Sequence, residues 1–178
     1  DYDQAILHLI EPFGTDIAIL AGYMLIAPEL CRRMTLLNLH PAAPGGPAGI
    51  WQDVIWQLIE QRAESSGVTI FRATPDLDAG PALSFCTYSL HDTALDPLWR
   101  MLAGRPIAGL PEREGEKLPL FREIRRRGSI REAPLLVQTL AAIASGQISH
   151  EVHGPGFEAS SLPLDLSDQV DRSLTADL

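Results

Sequence analysis

With 178 residues, 46% hydrophobic and 21% charged, the chain has the size of one domain with a sizeable core plus a tail. Its formal net charge of −9 argues against a broad nucleic-acid or anionic-membrane surface, because neutralising phosphates needs clustered cations, and it favours small-molecule partners. No apolar run reaches the roughly 18 residues that span a bilayer, so no membrane partner is expected, cytoplasm is the default location, and Cys31 and Cys86 are read as free thiols.

Ala5, Ile6, Leu9 and Ile10 form a helical stripe that stops before Pro12, and Ile17-Ala18-Ile19-Leu20 then reads as a parallel strand. Residues 28–34 make a short helix and residues 35–40 the next strand, a βαβ order that predicts an α/β protein. Trp51, Val54, Ile55, Leu58 and Ile59 recur at helical spacing, which predicts an amphipathic helix over residues 50–65 with Gly67 as its stop. Residues 68–73 and 82–88 read as strands joined by the loop that carries Asp78. A helix starts at Pro97, and residues 104–117, rich in Gly, Pro and charge, read as a mobile connection. Two helices follow, residues 118–127 and 129–145. The second opens with a capping box, Ser129 and Glu132, and is ended by Gly146. Residues 150–178 hold few large apolar groups and read as a loosely packed tail with a short helix over 167–174. The domain organisation expected is a core over 1–98, a helical extension packed on it over 99–149, and the tail.

Chemistry concentrates in Asn38-Leu39-His40-Pro41 and Asp78-Ala79-Gly80-Pro81. On a strand, Asn38 and His40 point to the same side. Pro41 cannot extend a ladder, so both fall at the carboxyl end, where open α/β sheets keep their crevices. An amide N–H and a protonated imidazole stabilise the oxyanion that develops in acyl transfer, and a carboxylate such as Asp78 favours the charged imidazole and fixes its orientation. No serine or cysteine stands out as a nucleophile, which favours direct attack by an acceptor amine over a covalent enzyme intermediate.

Leu20-Ala21-Gly22-Tyr23-Met24, Leu37-Asn38-Leu39-His40-Pro41, Gly67-Val68-Thr69 and Asp78-Ala79-Gly80-Pro81 occur in the order and spacing of the folate-dependent formyltransferases, which residues 3–88 resemble. The resemblance implies a Rossmann-like, open, mostly parallel sheet flanked by helices, with a helical carboxyl-terminal extension. It implies transfer of formyl from 10-formyltetrahydrofolate, as co-substrate, to a primary amine, with Asn38, His40 and Asp78 catalytic. Main chain at Met24, Leu25 and Ile26 and at Pro75, Asp76 and Leu77, together with Asn38, would contact the folate. The Asp-Ala-Gly-Pro segment is most like the branch that formylates glycinamide ribonucleotide in purine synthesis; an amino-sugar acceptor, a hydrolase that passes formyl to water and a non-catalytic folate-binding module are the alternatives. Members of the family open with a strand and a Gly-rich phosphate-binding turn, so this chain, starting at Asp1, is expected to be the part that follows them. A monomer or homodimer is expected.

The chain departs from the family pattern at Ala42-Ala43-Pro44-Gly45-Gly46-Pro47, where Ser-Leu-Leu-Pro is usual, at Phe71, where a His is common, and at Leu25, where an Arg is frequent. Arg122, Arg125, Arg126, Arg127 and Arg131 either hold a phosphate or a folate tail or form a solvated helix face, the latter being favoured. His91, His150 and His153 lack metal-ligand spacing, and no metal is expected. Trp51, Trp56 and Trp99 read as core or partner-facing anchors.

Overall fold

The computed structural model describes residues 2–20, 28–75, 80–148 and 162–176. A five-stranded sheet, order β1-β2-β3-β4-β5, is built from β1 (Ile17–Leu20), β2 (Thr35–His40), β3 (Ser65–Arg72), β4 (Ala82–Ser89) and β5 (Leu164–Asp165). The pairs β1/β2 and β4/β5 are parallel, whereas β3 is antiparallel to both neighbours, so every strand but β3 runs in one direction. The expected α/β, mostly parallel architecture is therefore present, as a mixed sheet with one reversed strand. Helices α1 (Tyr2–Ile10) and α2 (Pro28–Arg33) pack beside β1 and β2, α3 (Trp51–Glu60) links β2 to β3, and α4 (Asp96–Met101), α5 (Leu110–Glu114), α6 (Pro119–Ala144) and α7 (Ser167–Ala176) make up the helical carboxyl-terminal half.

Strand alternation sorts the core. Leu37, Val68, Ile70 and Cys86 turn to one face and are buried with Leu135, Ala142 and Ile143 of α6 and Val170 of α7. Leu36 turns to the other face, against Leu30 of α2. The amino-terminal half of α6 instead buries Leu120, Phe121 and Ile124 with Val54, Leu58 and Ile59 of α3. As each buried aliphatic or aromatic side chain contributes about 1.5–3 kcal/mol by leaving water, this shared cover of α6 fixes its place along the sheet.

Three local expectations are corrected. The helix predicted over residues 50–65 ends at Glu60, and Gly67 is no helix stop: it lies inside β3, where a Cβ would come within 2.4 Å of the Cys86 carbonyl oxygen and 3.0 Å of the Ala43 Cβ. Close approach of backbone, not turn geometry, requires that glycine. The helices predicted over 118–127 and 129–145 are one helix, α6, and the Ser129 capping box is absent; the Ser129 hydroxyl donates back to the Arg126 carbonyl at 3.0 Å within the running helix. Gly128 is kept there by packing, since a Cβ would sit 3.1 Å from the Tyr88 hydroxyl. Gly146 does end the helix, with φ 75° and the bonds Gly146 N–H to Ile143 and Gln147 N–H to Ala142. At the end of the described chain, β5 pairs with β4, and Leu166 and Val170 are buried, so this stretch packs on the sheet and does not hang from it.

Candidate active site

β2 delivers Asn38 and His40 to the same face of the sheet. Asn38 is the register partner of Phe71 and His40 of Thr69, and directly opposed residues share a face, so these four side chains form one patch. β1 ends with Leu20 in register with Asn38, which places the pair at the carboxyl end of β1 and β2. Both are half-buried, unlike the wholly buried Leu36 and Leu37 that precede them.

The loop after Pro41 explains how His40 is held. Ala43-Pro44-Gly45-Gly46 is a type II turn: the Gly46 N–H donates to the Ala43 carbonyl at 2.9 Å, Pro44 supplies the fixed φ of its second position and Gly45 the positive φ, 77°, of its third. The turn sends the chain back so that the Pro47 carbonyl lies 2.8 Å from His40 Nε2. The loop itself is fastened to β3, where the buried Thr69 hydroxyl donates to the Ala42 carbonyl at 2.7 Å. The Pro-Gly pair signals a turn in the sequence, but its action on His40 passes through backbone carbonyls, which leave no trace in residue type.

The loop that carries Asp78 is attached at both stems. Ala73 N–H donates to the Leu36 carbonyl at 2.8 Å, and Arg72 N–H to the Pro81 carbonyl at 3.0 Å. Gly80 lies so close to β3 that a Cβ would collide with the Arg72 carbonyl oxygen, which accounts for the glycine in Asp-Ala-Gly-Pro. Pro75 is exposed. Asp76, Leu77 and Asp78 lie outside the described residues, as do Met24, Leu25 and Ile26; of the three residues expected to be catalytic, the structure brings Asn38 and His40 together.

Several other described polar groups have partners of their own. Arg125 pairs with Glu132, Arg126 with Glu123, Arg127 with Asp92 and Glu123, and Arg131 with Asp171. Arg127 and Arg131 thus tie α6 to Asp92 and Asp171, while Arg125 and Arg126 pair within the helix, so these four guanidinium groups already face carboxylates. His91 stacks on Trp99 with ring centroids 5.3 Å apart. Trp51 and Trp56 pack on Phe121, as core anchors. Among the described residues no group of His, Cys, Asp and Glu has the arrangement of a metal site. Burial pushes the Cys86 thiol up to about 11, which keeps it protonated and unreactive near neutral pH. A cleft of about 380 Å³ lined by Gln4, His8, Glu11 and Arg33 lies before the starts of β1 and β2, at the end of those strands away from His40.

The amide of Asn38 and the imidazole of His40, held by the loop that follows, thus lie together at the carboxyl end of β2, in a Leu-Asn-Leu-His-Pro segment. The chain belongs to the formyl transferase family, whose description matches residues 1–90. Among proteins of known function it is 29% identical over 85 residues to phosphoribosylglycinamide formyltransferase of Escherichia coli (strain K12), an alignment covering 46% of this chain and 39% of that protein, so the chain spans about two-fifths of the length of that relative. Solved structures share its fold, among them the two that follow. Phosphoribosylglycinamide formyltransferase from Anaplasma phagocytophilum matches with a TM-score of 0.56 at 19% identity, covering 91% of this chain and 69% of that one. Glycinamide ribonucleotide transformylase 1 from Symbiobacterium toebii matches with a TM-score of 0.51 at 20% identity, covering 82% and 57%. Among the described residues no helix is long and apolar enough to cross a membrane.

Proposed function

We propose that this chain takes part in transfer of a formyl group from 10-formyltetrahydrofolate to a primary amine, with glycinamide ribonucleotide as the acceptor. The observation that carries the reading is the pairing of Asn38 and His40 on one half-open face, with the His40 ring held by the Pro47 carbonyl. The donor set fits the formyl end of the co-substrate: an amide N–H and an imidazole N–H are the groups a formyl oxygen needs as negative charge builds on it. Main chain near Met24, Leu25, Ile26, Pro75, Asp76 and Leu77 would hold the pterin, and Asp78 would favour the charged form of the His40 ring. Asn38 and His40 orient the formyl carbon and stabilise the developing oxyanion, while the amine attacks it directly and a proton reaches the departing folate nitrogen through water. The absence of a reactive cysteine at the described site, with Cys86 buried in the opposite face, agrees with direct attack.

The test is a transfer assay with 10-formyltetrahydrofolate and each acceptor in turn: glycinamide ribonucleotide, an amino sugar, or water alone. The reading expects a formylated amine from the ribonucleotide, lost in Asn38→Ala and His40→Ala. Formate released at the same rate with and without amine would replace it with a hydrolase.

A further inference from the structure

The contact between His40 and the Pro47 carbonyl fixes more than the ring's direction. A carbonyl oxygen has lone pairs and no hydrogen, so the nitrogen 2.8 Å away must donate to it, and Nε2 therefore carries a hydrogen whether the imidazole is neutral or charged. The neutral ring is then the Nε2–H tautomer, and Nδ1 is the nitrogen that gains and loses the proton.

What keeps the carbonyl in place is a chain of contacts leading back to β3. Thr69 is buried and is the register partner of His40 on the same sheet face. Its hydroxyl does not serve its own strand; it crosses to the Ala42 carbonyl, two residues beyond His40. Ala42 is 1% exposed, and the neighbouring Ala43 lies on Gly67, so the first residues of the loop are seated on β3. From this seat the type II turn returns the chain, and Pro47 meets the ring. A valine would occupy the Thr69 position in a strand equally well, so the hydroxyl is needed for the loop and not for the sheet.

Resting on the formyl-transfer reading above, we propose that Thr69 is a positioning residue for His40: by anchoring the Ala42 to Pro47 loop it holds Nε2–H on a backbone acceptor and assigns Nδ1 as the working nitrogen. With Nε2 committed, the ring cannot flip, and Nδ1 meets the reacting groups from one direction. Nδ1–H of the charged ring donates to the formyl oxygen as it becomes negative. Loosening the loop frees the ring to rotate and to populate the other tautomer, at the cost of orientation in the transition state and not of folate binding.

The experiment is long-range ¹H–¹⁵N correlation NMR on the whole chain carrying ¹⁵N-labelled histidine, at a pH of about 8.5, where an ordinary imidazole is neutral. The His40 signal is assigned by its loss in His40→Gln. The unaltered chain should show His40 with Nε2 in the protonated range and Nδ1 in the unprotonated range. Thr69→Val should average the two shifts and lower kcat for formyl transfer by about tenfold or more with little change in KM for the folate, and Thr69→Ser should restore both. Circular dichroism verifies that the variants are folded. A His40 that is Nδ1–H in the unaltered chain, or a tautomer that Thr69→Val leaves unmoved in a folded protein, overturns the proposal. If the tautomer responds but the unaltered chain transfers no formyl, the positioning stands and the formyl-transfer reading falls.

Discussion

Asn38 and His40 project from the last half of a short strand into a half-open face, so their removal takes away polar donors without opening a cavity. Asn38→Ala and His40→Ala are each expected to reduce formyl transfer by about 10²- to 10³-fold, while melting temperatures stay within about 3 °C of the unaltered chain. Gly67 behaves in the opposite way. Gly67→Ala drives a methyl group into the Cys86 carbonyl and towards Ala43, and it should lower stability by about 2 kcal/mol or more in urea unfolding. The placement of Asn38 and His40 on one face was legible because strand alternation and a terminal proline both leave marks in the sequence. Gly67 was misread as a helix stop because a glycine demanded by close backbone approach looks, in one dimension, like one demanded by a turn. The Pro47 carbonyl was not legible at all, since any residue there supplies the same acceptor.

Among elements, α6 departs most from expectation. Ser129 and Glu132 carry the spacing of a capping box, yet burial on both sides of Gly128 keeps the helix continuous: Ile124 is buried before it, Leu135 after it, and Tyr88 of β4 faces the glycine itself. Tertiary packing outweighs a local capping preference worth about 1 kcal/mol. The contact of α6 with the sheet includes a wholly buried polar pair. Ser84 and Thr139 hydroxyls lie 2.6 Å apart, and Thr139 donates onward to the Leu135 carbonyl at 2.7 Å. That leaves Ser84 as the donor between them. Thr139→Val should cost about 1–3 kcal/mol by stranding the Ser84 hydroxyl, and the double variant Ser84→Ala, Thr139→Val should recover much of the loss in a double-mutant cycle.

A second link between elements is charged. Arg127 of α6 donates to Asp92, in the segment after β4, with one bond of 3.1 Å, and to Glu123 at 3.0 Å. Hydrogen bonds from Arg126 and Arg127 hold the Glu123 carboxyl at about 2, against an ordinary value of 4.5, and Arg127 holds Asp92 well below the usual carboxylate range. Depressed carboxyl values stabilise the folded chain above the unfolded values and cease to do so as pH falls through the folded ones. The contribution is therefore complete above pH 4.5 and fades towards pH 2. Arg127→Met should melt lower than the unaltered chain at neutral pH, by an amount equivalent to about 1–2 kcal/mol. The two melting curves should draw together as the pH is lowered through that window, the part that rests on Asp92 being lost last.

Across the whole molecule, the α/β class and the order of elements up to β4 followed from periodicity, because each strand and helix there carries its own apolar pattern. The end of the chain followed only in part. The helix expected over 167–174 is there as α7, but β5 is two residues long and shows no pattern of its own, and the packing of Leu166 and Val170 into the space between β4 and α6 was not foreseen. Only the assembled sheet reveals that space. The same holds for the arginine cluster, which read as a solvated face and is tied in large part to carboxylates at two other places in the chain, Asp92 and Asp171, and within its own helix.

On the proposal above, a folate formyl donor binds where Asn38 and His40 meet. Isothermal titration of the folded chain with a stable 10-formylfolate analogue tests it without requiring an acceptor. Saturable binding is expected, about tenfold weaker in Asn38→Ala through loss of one hydrogen bond and unchanged in Arg33→Ala, whose side chain lines the remote cleft. Absence of binding to the folded chain, or binding that Asn38→Ala leaves untouched, would contradict it.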